Sequence, residues 1–144
     1  MKKLLLILLC LPLLTLAQKT YVPDDNFEAY LEAMGMGDGI MLNDTVLTGN
    51  INTVTTLNVD NQNITDLIGI EDFTALTQLN CCDNQLTSLD VSNNTALTAL
   101  NCYDNQLTSL DVSNNTALTA LDCQHNQLTN LDVSQNPALT YLDC

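Results

Sequence analysis

The chain has 144 residues, with 17 Asp+Glu against 3 Lys+Arg and a formal net charge of −14. That length suits one domain, and a surface so acidic lacks the basic footprint that nucleic acid and anionic membranes demand. Trp is absent and aromatics are 4%, which removes the usual stacking platforms, while 46% apolar residues suffice for a core.

Lys2 and Lys3 precede an apolar run from Leu4 to Leu11, and Pro12, Leu13 and Leu14 follow. Thr15 and Ala17 then occupy the small-residue places before Gln18. A charged, an apolar and a small-residue region in that order predict a secretory signal peptide over residues 1–17. The run is shorter than the ~20 residues a spanning helix needs, so no membrane insertion of the mature chain is expected. Export would place the protein outside the cell or on its surface, and Lys19 would be its only base.

Residues 18–53 read as an N-terminal helical cap and a connecting loop. Val22 to Gly35 suits a short helix: Asp24 or Asp25 caps it, Phe27, Tyr30, Leu31 and Met34 form one face, and Gly35 ends it. Gly35 to Asn50 is glycine-rich loop, with a short strand expected near Thr45-Val46-Leu47.

Residues 54–144 are repetitive. Ala75 to Thr95 reads ALTQLNCCDNQLTSLDVSNNT, Ala96 to Thr116 reads ALTALNCYDNQLTSLDVSNNT, and Ala117 to Pro137 reads ALTALDCQHNQLTNLDVSQNP. A fourth unit begins at Ala138. Each unit nests two halves of the form L-x-x-L-x-h-x-x-N, the first through Leu76, Leu79, Cys81 and Asn84, the second through Leu86, Leu89, Val91 and Asn94. The alternation around Leu79 and Leu89 predicts two short strands per coil. The asparagines mark corners whose backbone groups they can satisfy. One coil cannot bury its leucines alone, but stacked coils share a continuous core.

This motif resembles the leucine-rich repeat, in its short bacterial form with two half-motifs per unit. Val54-x-x-Leu57-x-Val59-x-x-Gln62-x-Ile64 and the residues to Leu76 are similar to the 22-residue unit of internalin-like repeats. Gln62 stands where Asn is usual, so that corner is expected to be built differently. The resemblance implies a leucine-rich-repeat solenoid, mostly β, of about four units behind a helical cap. No cap is evident after Cys144, so end-to-end association or further repeats are expected.

Cys81, Cys102, Cys123 and Cys144 are 21 residues apart and occupy the apolar place held by Val91 in the sister half. They are expected to stack as a buried thiol ladder, since side chains pointing the same way fit a disulfide torsion poorly. Cys82 faces outward and is a candidate reactive thiol. Asp90, Asp111 and Asp132 form an acid ladder, expected to be a solvated face, with calcium binding as an alternative. His125 sits two residues from Cys123, but no third catalytic group and no cleft accompany it. The sequence therefore predicts no enzyme, no cofactor and no metal site.

Outward strand letters vary where core letters do not: Gln78 becomes Ala99, Ala120 and Tyr141. In leucine-rich repeats the strand face is where partners bind. The resemblance therefore implies a ligand face of Asn80, Cys82, Asp83, Asn101, Tyr103, Asp104, Asp122, Gln124 and His125. A protein partner is expected first and a glycan second. The alternative is a structural or adhesive stalk segment, which the near-identity of two consecutive units favours.

Overall fold

The computed structural model describes residues 17–144. The signal peptide expected over residues 1–17 thus lies outside the described residues, save Ala17.

The chain opens with β1 (Lys19–Tyr21), then α1 (Asp25–Ala33), β2 (Thr45–Leu47) and a single helical turn α2 (Thr48–Ile51). β1 and β2 pair antiparallel, with Thr20 opposite Val46. Asp24 is the N-cap of α1: its carboxylate accepts the backbone N–H groups of Asn26 and Phe27. Phe27 and Leu31 bury one helix face. Tyr30 is half-buried, but Met34, expected on that face, is 58% exposed because it is already the C-cap residue. Gly35 follows with a left-handed φ of 73°, which glycine adopts freely. β1 and α2 fall in stretches with no strand or helix expectation; their three and four residues are too short to carry a periodic signal.

From here the chain is a stack of coils, each offering one three-residue strand. These are β3 (Thr56–Asn58), β4 (Gln78–Asn80), β5 (Ala99–Asn101), β6 (Ala120–Asp122) and β7 (Tyr141–Asp143). They form one parallel sheet in sequence order. The register keeps repeat positions together: Leu57, Leu79, Leu100, Leu121 and Leu142 align, as do Asn58, Asn80, Asn101, Asp122 and Asp143. Leu57, Leu79, Leu100 and Leu121 are buried with Val59, Cys81, Cys102 and Cys123, and Leu76, Leu86, Val91 and their repeats close the core from the other sides.

The second half-motif differs from expectation. It makes no strand, only an isolated parallel bridge between Asp90 and Asp111. Its carbonyls are otherwise occupied: Val91 O accepts both the Asn94 N–H and the Asn115 side-chain amide. On that flank coils are joined by side chains rather than by a ladder. Asn115 Nδ2 reaches Val91 O and Asn94 O, and Asn136 Nδ2 reaches Val112 O and Asn115 O. The Oδ1 atoms of Asn94, Asn115 and Asn136 are buried without a partner.

The first-half asparagines work with both ends. Asn105 Nδ2 donates to Cys81 O, Cys102 O and Tyr103 O, while its Oδ1 accepts the Leu86 N–H. Asn84 and Asn126 repeat this scheme. Each asparagine thus seals the coil before it. The Gln62 corner is indeed different: Gln62 Nε2 donates locally to Asp60 O, and Asn84 Oδ1 accepts the N–H groups of Gln62 and Ile64.

The cap is bolted to the first coil. The second Asp24 oxygen accepts Thr65 N–H, Thr65 O–H and Asp66 N–H. Phe27 stacks on Phe73 with ring centroids 6.3 Å apart, and Tyr30 O–H donates to Asn58 O, covering the free edge of β3. Thr20 O–H donates to Asp72 at 2.6 Å. Gly69, at φ 104°, lets the β1 end approach: a Cβ there would lie 2.8 Å from Val22 Cγ2.

Candidate functional site

Because strand side chains alternate, the residues flanking each buried leucine face out together. One column is Thr56, Gln78, Ala99, Ala120 and Tyr141, the other Asn58, Asn80, Asn101, Asp122 and Asp143. Over these columns runs a shallow groove of about 360 Å³ along the strand face. Asn80, Asn101 and Asp122 line it. Each also holds the chain as it leaves the strand: Oδ1 of Asn80, Asn101 and Asp122 accepts the N–H of Cys82, Tyr103 and Gln124 respectively.

Cys82, Tyr103 and Gln124 form the next column and are half-buried. Cys82 is not an activated thiol. Burial first, then the carboxylates of Asp83 and Asp60, push it up to about 11, so it stays protonated at neutral pH. Gln124 Nε2 donates to Asp143 Oδ1 across the strands.

Asp83, Asp104 and His125 are exposed at the lip of the face, and their backbone explains their identities. With Asn61 they share one repeat position, and all four have left-handed φ, between 49° and 53°. Asn, Asp and His are the non-glycine residues most at ease there. Variation at this position follows the backbone as much as any partner. His125 meets Tyr103 edge-on, ring centroids 4.9 Å apart.

The groove also includes Thr56, Asn58, Gln78, Ala99, Ala120 and Tyr141, none of which belonged to the expected ligand set. The signal was present: these are the outward positions whose letters change from unit to unit. Tyr141 is 52% exposed, and its O–H donates to Asp143 Oδ2 at 3.3 Å. Asp143, then desolvation and Asp122, raise its phenol above the ordinary value.

The thiol ladder is buried at Cys81, Cys102 and Cys123, but Cys144 is exposed because no coil covers it. No disulfide joins these cysteines among the described residues. Burial and the neighbouring thiols raise Cys81 well above the ordinary value, Cys102 to about 12 and Cys123 to about 11. So raised a thiol gives no support to a nucleophilic Cys123–His125 pair. On the opposite flank, Asp90, Asp111 and Asp132 each accept the N–H of the serine two residues on. Those serine bonds hold all three carboxyls below the usual range. No group of three or more His, Cys, Asp or Glu poised to hold a metal occurs among the described residues.

A parallel one-strand-per-coil sheet, an asparagine-sealed core and an inner groove define an internalin-like leucine-rich-repeat protein. Residues 44–144 match the family described as the leucine-rich-repeat domain of the endo-β-N-acetylglucosaminidase EndoS, and the chain belongs to that repeat family. It is 47% identical over 74 residues to internalin J of Listeria monocytogenes serotype 4b, a stretch covering 51% of this chain and 8% of that protein. The solved functional domain of InlJ, described as including a cysteine ladder, is 46% identical. It superposes with a TM-score of 0.77 over 89% of this chain and 29% of that one. An internalin (InlF) of the same species, 22% identical, shares the fold at a TM-score of 0.69 over 84% of this chain and 43% of its own. The chain thus spans under a tenth of internalin J and under a third of the solved InlJ domain. No described helix is long and apolar enough to cross a membrane.

Proposed function

We propose that the chain is a non-catalytic recognition module, secreted or displayed at the cell surface, that binds a protein partner through the inner strand face. A glycan is the second candidate. One observation carries this reading: the outward strand positions form a continuous groove whose upper column (Gln78, Ala99, Ala120, Tyr141) varies while the core beneath it does not. Side chains that neither fill the core nor cap the coils are free to be chosen by a partner. That the matched relatives are internalins supports this reading without naming a ligand.

The test is a binding screen against arrayed surface proteins and glycans, followed by charge insertion. Ala99→Arg and Ala120→Arg fill the groove floor, and Ser109→Arg places the same charge on the opposite flank. Loss of the hit in the first two and retention in the third is the expected result. A hit that survives both floor variants overturns the reading. N-terminal sequencing of the exported protein should begin at Gln18; an intact Met1 on exported chains would remove the signal-peptide assignment.

A stalk segment is the second reading, favoured by the near-identity of residues 75–95 and 96–116. It predicts no hit dependent on the groove. It also predicts end-to-end association between copies. Sedimentation at rising concentration reads that out.

A further inference from the structure

Resting on the inner-face reading, we propose that the groove receives an extended basic polypeptide segment, with a lysine or arginine of that segment seated against Asp122 beside the Tyr141 ring.

Shape comes first. Ala99 and Ala120 form a floor of small side chains, with Gln78 at one end and Tyr141 at the other. A trough of about 360 Å³ takes a few residues of an extended chain. Next comes the supply of hydrogen bonds. The Oδ1 atoms of Asn58, Asn80 and Asn101, which line the groove, are bonded to their own turns, which leaves their amide N–H groups to donate to a ligand. Peptide carbonyls are suitable acceptors for such a row.

Charge sets the sign of the partner. Asp122 and Asp143 sit side by side in register at the Tyr141 end. Asp143 is already engaged, accepting from Gln124 and from the Tyr141 O–H, and so fixes the ring. Asp122 accepts one N–H on Oδ1 and keeps Oδ2 for a ligand. The single base among the described residues, Lys19, is far off in the cap and paired with Asp38 at 2.7 Å. A groove with a carboxylate, no base and an exposed aromatic wall is complementary to a side-chain ammonium or guanidinium.

The repeat itself supplies harmless variants. Asn stands at 80 and 101 where Asp122 stands, so Asp122→Asn keeps the turn acceptor. Ala stands at 99 and 120 where Tyr141 stands, so Tyr141→Ala is also a residue the coil already accommodates. Tetralysine and its fully side-chain-acetylated form are titrated into the protein while backbone amide signals are followed by NMR. The expected result is shifts in β6 and β7 for tetralysine, reduced by salt. Acetylation, Asp122→Asn and Tyr141→Ala should each weaken binding about tenfold, the factor set by one lost charged or cation–π contact. Equal binding of the acetylated peptide, or undiminished tetralysine binding in Asp122→Asn, overturns the basic-partner inference. So do shifts centred on Asp90, Asp111 and Asp132. None of these outcomes touches the inner-face reading, which stands or falls on the floor variants.

Discussion

Asp24 does two jobs with one carboxylate: it caps α1 with one oxygen and ties the first coil with the other. Burial raises its pKa, but the bonds from Thr65, Phe27 and Asp66 outweigh that, and the net shift is downward. A lowered folded pKa means stability that is present above the usual carboxylate range and is lost as pH falls through the folded value. Asp24→Ala should cost about 2–3 kcal/mol, a cap plus charged hydrogen bonds. It should also flatten the acid limb of a stability–pH curve, which urea melts at stepped pH would measure. The cysteines act at the other end of the scale. Cys81, Cys102 and Cys123 have raised folded pKa values, so their contribution is full below the unfolded thiol value near 8.5 and falls as pH rises toward 12. Circular dichroism should therefore show alkaline melting over that interval. Cys102→Val, which copies the sister half-motif, should postpone it at a neutral-pH cost under about 1.5 kcal/mol.

At the scale of elements, the two asparagine columns look alike in sequence and should behave differently. Asn105→Ala strands the buried Leu86 N–H and removes three donor bonds, so a loss of about 3 kcal/mol is expected. Asn115→Ala removes two donor bonds, yet Val91 O and Asn94 O each keep a second partner, and an unpaired buried oxygen disappears with it. About 1–2 kcal/mol is expected there. Urea denaturation giving the opposite order would refute this division of roles. The leucine spacing makes the coil, its core and its first short strand legible in the sequence. The second predicted strand does not form, because periodicity reports which way side chains point, not whether neighbouring carbonyls are free to pair. The lip residues Asp83, Asp104 and His125 were likewise legible as variable but not as left-handed, since φ leaves no periodic trace. The bond from Thr65 to Asp24 spans 41 residues, beyond the reach of any local pattern.

Across the whole molecule, burial is uneven. Leu76, Leu97 and Leu118 are buried, whereas Leu139 is half-buried and Leu142 is 43% exposed. Stability in a solenoid is close to a sum of nearest-neighbour contributions, so it should grade along the axis. Leu100→Ala should cost about 2–5 kcal/mol, and Leu142→Ala well under that. Amide exchange should be slowest around β4 and β5 and fastest at β7; uniform protection would contradict the additive picture. The corner asparagine amides bond back toward the cap or within their own coil, never forward. Every turn of the spiral is therefore completed by its successor and owes nothing to whatever comes two turns later. Genes for such a protein can gain whole 21-codon blocks at the distal end while the earlier turns keep their closures unchanged, and loss of a block unseals only the turn just before it, so reach can be tuned without rewriting the foundation.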